Sequence, residues 1–139
     1  MNEKSEQMIF HADSFFNSAQ TILPLPIKNG ILPPSTVPSI VLISFACEIY
    51  IKSFLPSKTK WGRDHSLEKY FKMLDEAHQK EIKEILSDDT FDKKLSDIAN
   101  AFKDWRYIYE LSGNLNTINL GFLYNFAEAL KQAAHRAIR

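Results

Sequence analysis

Arg106 is the residue whose place in the sequence most suggests chemistry. At about 100° per residue it lies between Phe102 and Tyr109, near the middle of an apolar helical stripe. A guanidinium there keeps its proton and needs a carboxylate, backbone carbonyls or an open cleft. Glu48, in another apolar-rich segment, is the predicted partner. Two interpretations stay open: a buried ion pair that fixes helix register, or a polar cleft that binds an anionic ligand.

Two further groups of polar residues are candidates for the same site. Glu48 and Lys52 are spaced i, i+4 with the glutamate first, an order that stabilises an exposed helix only weakly. Segment 58–65 mixes cations with Trp61 and ends at His65, a composition that can stack a base and hold a phosphate. The alternatives are a solvated stripe for the helical pair and a loop whose tryptophan packs on the core. His65 is either a general base or a structural hydrogen-bonding residue.

Other chemistries find no motif in the sequence. There is no glycine-rich phosphate loop, no Cys/His metal spacing and no His-x-x-Glu pair of the di-iron type, so neither a metal nor a cofactor is predicted. Seventeen basic side chains balance seventeen acidic ones, which argues against a strongly cationic nucleic-acid binder but permits a local basic patch. The single cysteine, Cys47, lies in an apolar run and suits a core position in a reducing cytoplasm.

The sequence predicts a cytoplasmic protein that is not bound to a membrane. Polar residues open the chain and no apolar segment with a cleavage site follows, so no signal peptide is predicted. Residues 37–55 form a membrane-like stretch, but its two charges would each cost about 2.5–3.5 kcal/mol near a bilayer centre. We expect this stretch to be the central helix of a bundle.

Helices must position the candidate residues. Apolar residues at three-and-four spacing predict a first helix over residues 2 to 19 or 20. The proline-rich segment 24–34 then predicts a long loop. Ser35 or Thr36 caps a second helix, apolar nearly all round, which ends before Pro56.

Three more helices are predicted downstream, and no strand. The third begins after the cap Ser66 and is kinked near Asp75, while the fourth carries one continuous buried stripe over residues 91–109. Asn116 or Asn119 caps a fifth helix that runs to the C-terminus. The predicted fold class is therefore all-α, a single domain of 139 residues forming a compact bundle of about five helices.

Three segments together resemble the HEPN superfamily, the all-helical domains of prokaryotic toxin–antitoxin and defence systems. Residues 45–55 resemble the family's second helix, in which an acidic residue is followed by lysine four residues later. Residues 64–71 are similar to a His-Asp-Leu-x-x-Leu segment that opens the next helix, and residues 100–110 place Arg106 where the family's functional arginine lies. In element order the resemblance spans residues 5–135.

The resemblance implies a homodimer and raises the question of catalysis. In nuclease members the arginine is followed by a polar residue and, four to six residues later, by a histidine, and two such sites meet across a dimer to cleave RNA. Here Tyr107 follows Arg106, and the positions for histidine hold Leu111, Ser112 and Gly113. Without that imidazole, neither activation of the ribose 2′-hydroxyl nor protonation of the leaving oxygen has an evident agent.

The sequence therefore favours a non-catalytic HEPN-like binding or interaction module whose ligand is RNA, a nucleotide or a partner protein. The candidate residues of its polar centre are Glu48, Lys52, His65, Arg106 and Tyr109. Ile108 and Tyr50 lie off the main apolar stripes and are candidates for the homodimer surface. The alternative function is a metal-independent ribonuclease with a variant active site around Arg106 and His65.

Overall fold

The computed structural model describes residues 1–23, 33–56, 58–106 and 119–138. Within these ranges the chain forms seven α-helices and no strand, which confirms the predicted all-α bundle. The helices are α1 (Glu3–Ile22), α2 (Thr36–Ser53), α3 (Leu67–Lys72), α4 (Glu76–Leu86), α5 (Phe91–Ile98), α6 (Ala101–Arg106) and α7 (Leu120–Ala137). The predicted residues Ile108 and Tyr109 and most of the proline-rich loop lie outside the described residues.

Helix α2 is the centre of the bundle. It packs most extensively against α1, then against α6 and α7, and also contacts α3. Among the helices in the described ranges it is the one long and apolar enough to pass for a membrane span, and 61% of it is buried inside the domain. Such burial on most sides explains why α2 is apolar nearly all round.

Capping side chains fix where most helices begin. The residues that accept a hydrogen bond from the backbone N–H three positions further on are Asn2, Ser66, Asp75 and Asn119. Each satisfies a donor that the first helical turn leaves unpaired. Helix α2 differs, because Ser35 makes no side-chain cap bond and the Thr36 hydroxyl instead donates to the carbonyl of Pro33 over 2.7 Å.

The predicted continuous fourth helix is wrong. The structure ends α5 at Ile98 and begins α6 at Ala101. The carbonyl of Ala99 accepts the backbone N–H of Leu67 over 2.9 Å, the bond an uninterrupted helix would give to its own residue 103. A contact with α3 therefore interrupts the helix at a place where the apolar periodicity continues. The predicted kink near Asp75 likewise separates two helices, α3 and α4.

An aromatic cluster joins three of the helices in the core. Phe71 of α3 packs on Phe91 of α5, and both approach Phe126 of α7 with ring centroids 5.1–6.0 Å apart. Cys47 of α2 is fully buried, as predicted, and burial raises the pKa of its thiol well above the ordinary value. A thiol in this environment packs as a small apolar residue.

Candidate functional site

Three of the predicted polar-centre residues come together around the carboxylate of Glu48. One oxygen, Oε2, accepts from Lys52 Nζ over 2.9 Å, and the other, Oε1, lies 2.9 Å from Nδ1 of His65. The side chains of Glu48 and Lys52 are only 3% and 11% exposed, and that of His65 is 26% exposed. The alternative of a solvated Glu48–Lys52 stripe is therefore wrong.

The hydrogen bonds also orient the imidazole of His65. A carboxylate can only accept, so Nδ1 of His65 is the donor in the contact with Glu48. In the neutral ring this leaves the lone pair on Nε2, and in the charged ring it leaves a second N–H there. In the partly exposed His65, Nε2 is thus the ring nitrogen that Glu48 leaves to another partner.

Aromatic rings enclose the ammonium group of Lys52 on the sides that Glu48 leaves open. Its Nζ lies 4.8 Å from the ring centroid of Trp61 and 4.7 Å from that of Tyr70. Such cation–π contacts partly replace the water that burial removes. Trp61 packs against the core while remaining partly exposed, so its position is compatible both with packing on the core and with contact to a ligand.

Tyr70 holds the loop that carries Trp61 and His65. Its hydroxyl donates to the carbonyl oxygen of Trp61 over 2.6 Å and lies 3.0 Å from Oδ1 of Asp64. Burial, with the Asp64 carboxylate as the next cause, raises the pKa of Tyr70 to about 12. The hydrogen bond from Lys69 over 3.0 Å lowers the pKa of Asp64.

His65 adopts a strained backbone conformation. Its φ is 54°, in the left-handed region, where a residue with a Cβ is disfavoured by about 1–2 kcal/mol. The contact of its ring with Glu48 and its packing against Phe102, with centroids 4.9 Å apart, hold it there. Strain of this kind is concentrated at binding and catalytic sites, so it adds to the case for a site here.

Arg106 does not take the place predicted for it. The ion-pair partners of Glu48 in the described part of the chain are Lys52 and His65, and Arg106 is exposed with its guanidinium 4.6 Å from the ring centroid of Phe102. Lys52 lies one turn from Glu48 on the same helix and reaches the carboxylate that the sequence assigns to Arg106. Because Phe102 contacts both the His65 ring and the Arg106 guanidinium, Arg106 borders the cluster rather than forming its centre.

A second carboxylate cluster escaped the sequence analysis. Asp13 of α1 accepts from the hydroxyl of Tyr50 and, over 2.8 Å, contacts Nε2 of His135 on α7. Tyr50 is fully buried and is therefore no part of a dimer surface. Its burial, and then the Asp13 carboxylate, raise the pKa of its hydroxyl well above the ordinary value. The feature of the sequence that indicates this cluster is Tyr50 in an apolar helix, since a buried hydroxyl needs a polar partner.

The geometry of the described residues gives no indication of a metal site. In the described ranges no three His, Cys, Asp or Glu side chains are grouped as metal ligands would be. Comparisons with protein-family models, with curated proteins and with solved structures find no match for this chain. The resemblance to the HEPN superfamily stays a prediction based on its three segments.

The surroundings of the Glu48 cluster suit an anionic, ring-containing ligand. Lys58, Lys60 and Arg63 are exposed in the loop on either side of Trp61, and Arg106 is exposed beside Phe102. Cations of this kind contact phosphates, while a partly exposed indole offers a face for stacking. Segment 58–65 thus carries three cations and one acidic residue, Asp64, on a chain whose formal net charge is zero.

Proposed function

We propose that this domain is a non-catalytic, HEPN-like module that binds single-stranded RNA at the Glu48 cluster and the loop 58–65. The observation that carries the proposal is the meeting of the buried Glu48 and Lys52 with His65 and Trp61, two residues of a loop that also holds three exposed cations. Glu48 and Lys52 form the rigid base, and the loop supplies the contacts to the ligand. A role in a prokaryotic toxin–antitoxin or defence system follows from the resemblance alone.

The chemistry of each loop residue assigns it a part in binding. Lys60 and Arg63 contact phosphates, because they are exposed cations adjoining the stacking platform of Trp61. His65 presents its second ring nitrogen to the ligand, because Glu48 occupies the first. With no excess of positive charge on the whole chain, we expect modest affinity that falls steeply with salt.

Catalysis is the second candidate, favoured by the contact between Glu48 and His65. A carboxylate that orients an imidazole is the arrangement by which general bases are held in place. RNA cleavage needs a proton acceptor for the 2′-hydroxyl and also a proton donor for the leaving oxygen. His65 fits the first role, whereas the guanidinium of Arg106 keeps its proton and does not fit the second. The non-catalytic proposal is therefore preferred.

Fluorescence anisotropy with a labelled single-stranded RNA tests the proposal. We expect saturable binding by the wild-type protein, and a loss of about two- to fivefold in affinity with a smaller salt dependence for Arg63→Gln. Lys80→Gln, which removes an exposed charge from α4, is the matched control and leaves affinity unchanged. No binding by folded wild-type protein at low salt contradicts the proposal, and binding of a mononucleotide alone would redefine its ligand.

The same samples decide between binding and cleavage. Incubation with RNA, with and without added metal, is followed by gel electrophoresis for wild type, His65→Ala and Arg106→Ala. Intact RNA in the wild-type reaction supports the non-catalytic module. Cleavage by wild type that is lost in both variants, each folded by circular dichroism, establishes the ribonuclease instead.

Homodimer formation is also part of the proposal, because the resemblance implies it. The buried Tyr50 is removed from the expected surface, and Ile108 lies outside the described residues. Light scattering coupled to size-exclusion chromatography gives the mass in solution. A strict monomer at high concentration contradicts this part of the proposal, and a stoichiometric complex with another protein would favour a partner-binding module.

A further inference from the structure

The polar contacts of α2 lie on two opposite sides of the helix. Tyr50 is two residues from both Glu48 and Lys52, so at about 100° per residue it projects from the opposite face. Ser39, eleven residues before Tyr50, projects on the same side as Tyr50, and its hydroxyl donates to the carbonyl of Ala19 on α1 over 3.4 Å. One face of α2 thus binds α1, and the other carries the base of the proposed site.

Apolar packing alone specifies the rotation of α2 poorly. A helix that is apolar nearly all round buries similar surface after a small rotation, whereas buried polar groups lose their partners. Tyr50 makes such a directional contact, since its fully buried hydroxyl donates to Asp13. Asp13 is itself held by His135 of α7 over 2.8 Å, so three helices meet at this carboxylate.

We propose that Tyr50 and Asp13 are positioning residues whose hydrogen bond fixes the rotation of α2 and thereby the place of Glu48 and Lys52 beneath His65. The inference rests on the proposed function for its effect on RNA binding. Neither residue touches the ligand, because the Tyr50 side chain lies on the far side of α2 from the site and Asp13 contacts its hydroxyl there. Their effect is transmitted through one rigid helix.

The test compares two variants that each remove one buried tyrosine hydroxyl. Tyr50→Phe removes the bond to Asp13, whereas Tyr124→Phe removes the bonds of an α7 hydroxyl to the carbonyls of Leu23 over 2.9 Å and Ala19 over 3.4 Å. We expect Tyr50→Phe to weaken RNA binding about fivefold and Tyr124→Phe to change it less than about twofold. Nuclear magnetic resonance of the His65 ring nitrogens gives a second readout without ligand, and we expect these signals to shift in Tyr50→Phe and not in Tyr124→Phe.

The two readouts separate failure of this inference from failure of the proposed function. If wild type binds RNA and both variants match it in affinity and in His65 signals, the positioning role is overturned while the function stands. If wild type binds no RNA, the function falls and the His65 signals alone decide the positioning role. Should Tyr50→Phe not fold, Asp13→Ala replaces it, because alanine removes the acceptor of the Tyr50 hydroxyl. Unchanged His65 signals in that folded variant overturn the inference.

Discussion

Three histidines of the described residues contact a carboxylate, and in two of these pairs the partners come from distant segments of the chain. The surroundings of these two pairs differ. His65 reaches Glu48 from a loop, with a backbone in the left-handed region, and shares the buried carboxylate with the charged Lys52. His135 reaches Asp13 from a regular helix, and the second partner there is the neutral hydroxyl of Tyr50. The first carboxylate is 3% exposed and the second 21%.

The difference separates a site from a junction between helices. Around Glu48, a buried ion pair, a strained residue and exposed cations in a loop occur together, and each is costly or unneeded for packing alone. Around Asp13, every partner comes from a regular helix, and the contacts tie α1, α2 and α7 together. A histidine–carboxylate contact by itself therefore does not indicate a functional site. The backbone conformation of the histidine and the charges around the carboxylate distinguish a site from a junction between helices.

The largest expected effect is the loss of Glu48. Glu48→Ala leaves the ammonium of Lys52 buried without its carboxylate, and we expect the free energy of unfolding to fall by about 3 kcal/mol. Urea denaturation followed by circular dichroism measures it. Glu84→Ala, which breaks an exposed pair with Lys80, is the control and costs at most about 0.5 kcal/mol. A loss under about 1 kcal/mol for Glu48→Ala would mean that the pair is not isolated from water as described.

The junction should be less sensitive than the site. Tyr50→Phe removes one hydrogen bond to a charged acceptor, and we expect a loss of about 2 kcal/mol in the same denaturation experiment. Tyr124→Phe removes a bond to a neutral carbonyl and should cost about 1 kcal/mol. If Tyr50→Phe proves more damaging than Glu48→Ala, the distinction between site and junction fails.

Glycine and alanine should have opposite orders at the two histidines. At His65, with φ of 54°, the glycine variant should be more stable than the alanine variant by about 1 kcal/mol, because glycine has no Cβ to strain. At His135, inside α7, the alanine variant should be the more stable one by about 1 kcal/mol, because glycine weakens a helix. Thermal or urea denaturation of the four variants measures these differences in stability. The same order of glycine and alanine at both positions would show that the backbone of His65 is not strained.

The smallest effect near neutral pH concerns Tyr70. Its pKa in the folded protein is raised from 10.0 to about 12, so its contribution to stability is fully present below about pH 10 and is lost as pH rises through about 12. The difference in unfolding free energy between wild type and Tyr70→Phe should therefore shrink over that interval. Ultraviolet titration of tyrosinate locates the ionisation, and a Tyr70 that titrates like a free tyrosine would show that the loop is not closed over it.

The sequence was informative wherever a local pattern decides the outcome. The predicted caps Ser66 and Asn119 begin helices because a side-chain oxygen reaches the N–H three residues later, a purely local geometry. The i, i+4 spacing of Glu48 and Lys52 likewise gave their contact. Contacts between distant segments are harder to predict. The sequence gives His65 no partner and pairs Arg106 with Glu48, whereas in the structure Glu48 contacts Lys52 and His65.

By itself the sequence determined the all-α class, the central place of the apolar α2 and the identity of three residues of the candidate site. These features depend on the spacing of apolar and charged residues along a single helix or loop, which the sequence shows directly. Only the tertiary structure decided which groups the buried charges meet. It interrupted a continuous apolar stripe at Ala99, whose carbonyl binds Leu67 of another segment. It also joined Asp13 to His135 across 122 residues, a pairing set by how the helices pack and not by any spacing along the chain.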